Sequence, residues 1–410
     1  MLITQELKNT LTFILAGGRG ERLQPLTRVR AKPAVPFGGA YRIVDFTLSN
    51  CIHSGLRRIF VLTQYQARSL EEHIRYGWNF LPRRLDQFIV SRPPQHGEFN
   101  AWYRGTADAI FNNLDAIRAE RPDHVLILSG DHIYRMDYGR MLQDHLANGA
   151  VLTIGAVRIT QDESNRFGVL EVDARNEVQS FVEKPEQGPE IPGQPGHCLG
   201  SMGIYIFRTE ELVRRLEEDH VLGDDSSHDF GKDVIPRMIR EGGVYAHHFV
   251  DDTGDQNLYW RDVGTIDSYF ESNLDLCTAQ PSFNLYDESW PTYTQWHNDP
   301  PAKTLFDEDG RRSEVVDSLV CPGVIVSGAR VSRSILANRV FVDEGAVLEE
   351  AILFRGVRVG KNARIRRAII DKWTRIPDGV EIGYDEAEDR RRFTVSESGV
   401  VVVPHKYPFE

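Results

Sequence analysis

Three glycines and two arginines crowd into six residues at 17–22 (GGRGER), straight after the apolar run TFILA at 12–16. A glycine turn at the end of a strand lets backbone N–H groups approach an anion, and flanking guanidinium groups add charge. Two common phosphate-binding patterns fail here. A dinucleotide fingerprint needs G-x-G-x-x-G, and Gly18 and Gly20 are followed by Leu23. A P-loop ends in Lys-Ser/Thr, and none follows. What remains is Gly17, Gly18 and Gly20 with Arg19 and Arg22 beside them and Lys32 further on, a set of cations suited to a triphosphate. The competing reading is a solvated loop with surface arginines.

Three further stretches could complete the chemistry. LSGDH (128–132) ends an apolar run in Gly130-Asp131. Ligands of open parallel sheets bind at the carboxyl ends of strands, so Asp131 would face a site. A carboxylate there can hold Mg²⁺, which takes one or two carboxylates plus phosphate oxygens. WRDVGT (260–265) offers Asp262 as a second carboxylate on the same metal. FVEKP (181–185) ends a strand in Lys184, either a snorkelling surface group or an anion binder. Each is ambiguous alone: Asp131 could cap a turn, and Lys184 could simply be solvated.

These residues need a frame. RRIFVLTQ (57–64), HVLILSGDH (124–132) and VLTIGAVRI (151–159) read, like TFILA, as buried strands, with FGVLEVD (167–173), VQSFVEK (178–184), SMGIYIF (201–207) and VYAHHFV (244–250) as further candidates. GTADAIFNNLDAIRAE (105–120) predicts one helix capped by Thr106, with Asp108 in its first turn and Ile110, Phe111, Leu114 and Ile117 on its apolar face. A last helix, IDSYFESNLDLC (266–277), closes this region. Alternating strands and helices imply an α/β domain over residues 1–277, with a mostly parallel sheet. Residues 278–315 carry prolines and aromatics without periodicity and read as an ordered linker. From 316 to 410 the apolar period becomes six: Leu319, Ile325, Val331 and Ala337, then Phe341, Val347, Leu353, Val359 and Ile365, then Ile376 and Ile382. Six is not a helical period; it fits one side of a triangular parallel β-helix.

Bulk composition narrows the partners. The chain has 410 residues, 41% hydrophobic and 26% charged, with a formal net charge of −12. That balance argues against a nucleic-acid binder. Cys51, Cys198, Cys277 and Cys321 are widely spaced, which excludes a CxxC metal or redox motif and suggests free thiols. No apolar run approaches the roughly 20 residues of a membrane span, and the polar N-terminus has no signal-peptide core. A cytoplasmic protein without a membrane partner is expected.

Taken together and in order, ILAGGRGERL, RAKPAVPFGG, IVDFTLSNCIHSGLRRIFVLTQYQ, WYRGTADAI, SGDHIYRMDY, FVEKP, SMGIYIF, DFGKDVIP and YWRDVGTIDSYF resemble the bacterial glycogen-type glucose-1-phosphate adenylyltransferases (ADP-glucose pyrophosphorylases). The resemblance spans essentially the whole chain. It implies a Rossmann-like nucleotidyltransferase domain followed by a left-handed parallel β-helix, usually in a homotetramer. It implies the reaction ATP + α-D-glucose 1-phosphate → ADP-glucose + pyrophosphate. It carries the ATP phosphates onto Arg19, Arg22 and Lys32, Mg²⁺ onto Asp131 and Asp262, and the nucleotide side onto Gly17, Gly18, Gly20, Gln64, Trp102 and Gly130. The sugar phosphate maps onto Tyr103, Gly168, Glu183, Lys184 and Ser201, with Asp229 and Trp260 as neighbours.

Many relatives carry Lys where this chain has Val29 and again where it has Ala40; the first position belongs to the family's activator site. Which anionic metabolite would act here is therefore open. Arg30, Arg42 and the run Arg390–Arg391–Arg392 are the candidate anion ligands, with a solvated charged segment as the alternative for that run. Competing functions are a pyrophosphorylase of another nucleotide or sugar, a hexad acyltransferase, or a non-catalytic regulatory subunit. An acyltransferase needs a base, and the only His beyond His297 is His405, outside the hexads. The third is opposed by the presence of Arg22, Lys32, Asp131, Lys184 and Asp262 together.

Overall fold

The computed structural model describes residues 2–94, 102–251, 258–306, 310 and 312–409. The β-branched run that follows the first helix forms the buried strand Thr10–Ala16. It pairs in parallel with Arg58–Thr63 on one side and His124–Ser129 on the other, and Phe88–Arg92 extends the parallel block. The glycine loop and Asp131 therefore leave neighbouring strands at the same carboxyl edge, where open α/β sheets bind ligands.

Beyond His124–Ser129 the sheet forks. The long strand Gln194–Arg208 runs antiparallel to it, but only Tyr205–Arg208 pair with that neighbour. A bulge between Ser201 and Ile204 shifts the register, and the outer part, at Leu199 and Gly200, pairs instead with Gly168–Val172. That strand in turn carries Val178–Glu183. Leu152–Thr160 follows the other edge of the long strand and joins it to Val244–His248. The gap between the end of His124–Ser129 and the start of the outer pair is a crevice.

The predicted single helix at 105–120 is two: Thr106–Phe111 and Leu114–Glu120. The amides of Asn112 and Asn113 donate back to the carbonyls of Asp108 (2.7 Å) and Ala109 (2.8 Å). Asn side chains compete with the ladder in this way and interrupt it. Thr106 does not cap by its side chain either: its Oγ donates to Asp229 Oδ2 at 3.0 Å and accepts from the Phe230 N–H.

The C-terminal region is a three-faced coil of parallel strands. Val315, Val331, Leu348, Ile365 and Ile382 stack in register on one face, Val326, Val342, Val359 and Ile376 on another. Successive rungs are 16 or 17 residues apart, which explains the phase slip in the hexads. At Ile325, Phe341 and Val347 the inward residue is the next one, Val326, Val342 and Leu348, whereas Val331, Val359, Ile365, Ile376 and Ile382 point inward themselves. The third face carries Leu319, Ile335, Ile352, Ile369 and Val402. This ladder packs on Leu23, Leu26, Val35, Phe37 and the helix Ile266–Asp275 in one apolar cluster.

Between the two regions the chain from 278 to 302 is irregular but closely held, while 307–309 and 311 lie outside the described residues. Asp45, fully buried, accepts from His73, Trp78, the Arg42 N–H and, across from this segment, Thr294 Oγ at 2.6 Å. The buried carboxylate of Asp299 then takes Arg339 and Arg355 of the coil.

A further tie crosses the boundary. Arg30 is 3% exposed and forms a bidentate pair with Asp371, fully buried on the coil, at 2.9 Å through each nitrogen. Removing one partner of a buried pair leaves an uncompensated charge and costs about 3–5 kcal/mol. Asp371→Ala is expected to lower the urea midpoint accordingly; an unchanged midpoint would show that water reaches Arg30.

Candidate active site

The strand Thr10–Ala16 delivers Gly17 against Gln64: a Cβ on Gly17 would sit 2.9 Å from the Gln64 Cβ. Gly20 has φ +61°, a left-handed turn that favours glycine, and starts the tight turn Glu21–Leu23. The Gly130 N–H donates to Leu15 at 3.0 Å and ties the second strand end to the loop. A cleft of about 610 Å³ opens here, lined by Gly17–Arg22, Lys32, Ser129, Asp131 and Gly264. Arg19 and Arg22 are exposed on its rim, Arg22 reaching Asp262 at 4.0 Å. Gln64, Trp102 and Tyr103 line a smaller depression of about 390 Å³ that shares Gly17, Gly18 and Arg19.

At the floor, three distant segments meet. The short strand Trp260–Asp262 pairs antiparallel with His132–Tyr134, setting Asp262 directly opposite His132. Lys32, 7% exposed, reaches both carboxylates, with its ammonium 2.8 Å from Asp131 Oδ2 and 2.8 Å from Asp262 Oδ1. Burial alone would lower the Lys32 pKa, but the two carboxylates outweigh it and the group is held above its ordinary value. Burial likewise pushes Asp131 up, and Lys32 and His132 overcome that and hold it well below the usual carboxylate range. Ser129 Oγ donates to the same carboxylate.

The second cleft is the crevice at the fork, about 760 Å³, with Gly168, Glu183, Lys184, Ser201 and Trp260 on its walls and Arg22 and Asp262 at its inner end. A side chain at Gly168 would meet the Phe181 ring at 2.2 Å and Glu183 Oε2 at 3.0 Å, so only glycine leaves that carboxylate its place. Lys184, with φ +50°, turns its ammonium to Glu183 at 3.1 Å. Ser201 sits on the bulge, accepting from the Gly203 N–H at 3.3 Å. Trp260 packs on His132 and Phe167, and its buried indole N–H has no partner among the described residues. Tyr103 and Asp229 lie outside this crevice. Tyr103 faces the glycine-loop side; Asp229 caps the turn Phe230–Val234, accepting from the N–H groups of Gly231 and Lys232.

The arginines marked for anion binding are dispersed. Arg30 is committed to Asp371 and the Leu26 carbonyl. Arg42 is half-buried and donates to Ser69, and burial lowers it to about 10. Beside it, burial together with Arg42 and Arg30 pulls the Lys372 ammonium down to about 7. Arg390 and Arg391 pair with Glu386 and Glu388 on their own short helix, Glu386–Arg392. His132, Ser129 and Asp45 were missed by sequence reasoning. The first two stand in LSGDH itself; nothing local marks Asp45.

The donor set fits a hard divalent cation. One ligand atom each from Asp131, His132 and Asp262 lies within 4.8 Å of the others, and an ammonium already bridges the two carboxylates. Carboxylate oxygens at such spacing are what Mg²⁺-like ions take.

The Lys32 bridge has a pH signature. Asp131 is depressed, so its stabilisation is present above its unfolded value, about 3.9, and is lost as pH falls through the folded value. Lys32 is raised, so its share is full below about 10.4 and is lost above. Lys32→Met should therefore cost a constant amount of unfolding free energy from pH 5 to 8, below the about 3–5 kcal/mol of a fully buried pair because both carboxylates keep some contact with solvent. The gap to wild type should narrow below about pH 4. A gap that does not vary with acid would mean the bridge is not ionic.

The family model for nucleotidyl transferase matches residues 11–279, and that for the GlmU-like C-terminal hexapeptide matches 300–403. The latter agrees with the parallel coil, the left-handed β-helix of hexapeptide-repeat proteins. Among the described residues, no helix is long and apolar enough to cross a membrane. The chain is 49% identical over 405 residues to the glucose-1-phosphate adenylyltransferase of Nitrosospira multiformis, covering 98% of this chain and 95% of that one. It is 48% identical over 405 residues to glucose-1-phosphate adenylyltransferase 2 of Vibrio cholerae, covering 98% and 99%. A third relative, from Rhodopirellula baltica and of the same name, is 49% identical over 402 residues. Sheet, fork, coil and near-complete coverage agree: the chain belongs to the glucose-1-phosphate adenylyltransferase family.

Proposed function

We propose that the protein transfers the adenylyl group of ATP to α-D-glucose 1-phosphate, giving ADP-glucose for α-glucan synthesis and releasing pyrophosphate. The observation that carries this is the Lys32 bridge to Asp131 and Asp262, set where the glycine-loop cleft and the forked-sheet crevice meet. One cleft suits a triphosphate, the other a sugar phosphate.

The chemistry needs no base. A phosphate oxygen of the sugar is already ionised at neutral pH. It attacks the α-phosphorus of ATP, the α–β bridging P–O bond breaks, and the electron pair leaves on pyrophosphate. The difficulty is that one anion must approach another, so catalysis is positioning and charge stabilisation. Gly17, Gly18 and Gly20 present backbone N–H groups to the triphosphate; Arg19, Arg22 and Lys32 neutralise it. Gln64, Trp102 and Gly130 hold the nucleoside side, with Tyr103 beside them. Lys184 pairs with the sugar phosphate and Glu183 accepts from sugar hydroxyls, while Gly168, Ser201, Trp260 and, through its cap, Asp229 shape that wall. Asp131 and Asp262 would hold Mg²⁺, which when bound would supply positive charge to screen the phosphates.

The assay is pyrophosphate release with ATP, glucose 1-phosphate and Mg²⁺, repeated with UTP, GTP and dTTP. Release should require both substrates and the metal, and ATP should be preferred. Asp131→Asn should lower kcat about 10²–10³-fold, the size of a lost electrostatic stabiliser. Lys184→Ala should raise KM for glucose 1-phosphate and leave that for ATP nearly unchanged. An effect mainly on ATP would exchange the roles of the two clefts.

We also propose that residues 1–277 carry catalysis, that 278–315 link, the end of the link already pairing with the coil through Lys303–Leu305 and Glu314–Val316, and that 316–410 serve assembly and regulation in a cytoplasmic homotetramer. Anionic metabolites would act where Arg42 and Lys372 meet between the regions, with Arg30 as the buried strut beside them and Arg390 and Arg391 as outer ligands. Fructose 6-phosphate, fructose 1,6-bisphosphate, pyruvate and AMP are the panel to run in the same assay. At least one should change the rate, and Arg42→Ala should blunt that change; a flat panel would refute regulation of this kind.

A further inference from the structure

We propose that His132 is a third protein ligand of the divalent cation, giving the site one nitrogen donor beside its two carboxylates. The inference rests on the metal reading of Asp131 and Asp262 and extends it to a residue that reading leaves idle.

The backbone puts the ring there. His132 and Asp262 face each other across the antiparallel pair His132–Tyr134 and Trp260–Asp262. Directly opposed residues in such a pair project on the same side of the ribbon, with Cβ atoms about 4.5–5.5 Å apart. Asp131 precedes His132 in the chain, so two of the three donors are neighbours in sequence and the third is a neighbour in register.

The distances suit one ion. With bonds of about 2.0–2.1 Å in octahedral geometry, donors at right angles lie about 3 Å apart and opposed donors about 4 Å. His132 Nε2 stands 3.5 Å from Asp131 Oδ1, and the three donors lie within 4.8 Å of one another. Small side-chain shifts close that set on a single centre.

The ring is also uncommitted. Its Nδ1 is buried with no hydrogen-bond partner among the described residues, and 3.5 Å from Nε2 to Asp131 is too long for one. A buried imidazole without partners is costly and calls for an explanation. Trp260 packs edge-on against it with centroids 4.8 Å apart, fixing the ring plane beside the carboxylates. A site with only structural needs would be served by an apolar residue here.

The donor set has a chemical consequence. Carboxylate and water suit Mg²⁺, whereas imidazole favours later first-row metals. Mn²⁺ and Co²⁺ should therefore bind more tightly here than Mg²⁺, by a margin that depends on His132.

The test uses the full-length protein with Mn²⁺ and ATP and no glucose 1-phosphate, so that nothing turns over. Pulsed electron paramagnetic resonance reads nitrogen coordinated to Mn²⁺, with Mn²⁺–ATP free in solution as the control for the adenine ring. Imidazole nitrogen modulations are expected in the wild type and should vanish in His132→Gln. The variant should bind Mn²⁺ about tenfold or more weakly and lose less affinity for Mg²⁺ by competition. His132→Asp, which returns an oxygen donor, should recover affinity without the nitrogen signal. If either variant fails to fold, the wild-type spectrum alone decides. Protein-bound Mn²⁺ without imidazole nitrogen would overturn the role of His132 and leave the carboxylate site standing. No protein-bound Mn²⁺ in the presence of ATP would overturn the metal reading itself, and this inference with it.

Discussion

A lysine held between two carboxylates, none of them near another in sequence, is the constraint around which the rest of this molecule is arranged. Lys32 is almost fully buried and its ammonium lies 2.8 Å from Asp131 and 2.8 Å from Asp262. One buried ammonium cannot cancel two carboxylates, so the cluster keeps an excess negative charge at a partly solvated floor. Such a cluster persists only if the surrounding backbone leaves its members nowhere else to go. Asp131 is fixed by the parallel strand that ends two residues before it, Asp262 by its pairing to the ribbon that follows Asp131, and Lys32 by a loop pressed between sheet and coil. In the proposed function, that residual charge is what would draw a divalent cation, and through it a triphosphate.

That loop explains why the β-helix is more than an appendage. From Leu23 to Phe37 the chain contributes to the apolar cluster shared with Ile335, Ile352, Ile369 and Val402 of the coil. In the middle of it Arg30 is pinned by Asp371, two residues from Lys32 in sequence. Tyr269, on the helix that closes the first region, donates to the Pro36 carbonyl from the other side. Lys32 is thus positioned by contacts with the coil as much as by its own domain. Asp371 is thus joined to the cation at the floor through Arg30 and two residues of chain.

Legibility in the sequence followed a physical rule. Buried parallel strands were readable because both their faces are covered, so they appear as unbroken apolar runs; TFILA and HVLILS fall on observed strands. The glycine loop was readable because its geometry demands glycine. The helix at 105–120 misled because Ile110, Leu114 and Ile117 keep helical spacing across the break that Asn112 and Asn113 make with their own amides. The hexads were recognisable and most members point inward, Val331, Val359 and Ile365 among them, but at Ile325, Phe341 and Val347 the rungs of 16 and 17 residues let the next residue take the buried position. The fork in the sheet was invisible: a bulge at Ser201–Ile204 is a register event, and register is set by partners far away.

The same rule separates the site residues. Asp131 and Lys184 were identifiable because each ends a strand, and strand ends can be located. His132 was passed over although it closes the same segment, 124–132, because nothing in its local sequence names a partner for it. Its importance lies in pairing opposite Asp262, a contact between positions 132 and 262 that no local pattern carries. Asp45 is the extreme case. It sits inside a helix, where a carboxylate would ordinarily face water, and instead accepts from His73, Trp78 and Thr294 in the interior. Burial drives its pKa up, but the His73 interaction prevails and holds it below the usual range. A charge buried with that many donors is a junction, and the segment it anchors is the one that carries Asp299 to the coil. The chemistry of the floor and the attachment of the coil therefore rest on the same device, a carboxylate whose partners come from segments otherwise free to drift apart.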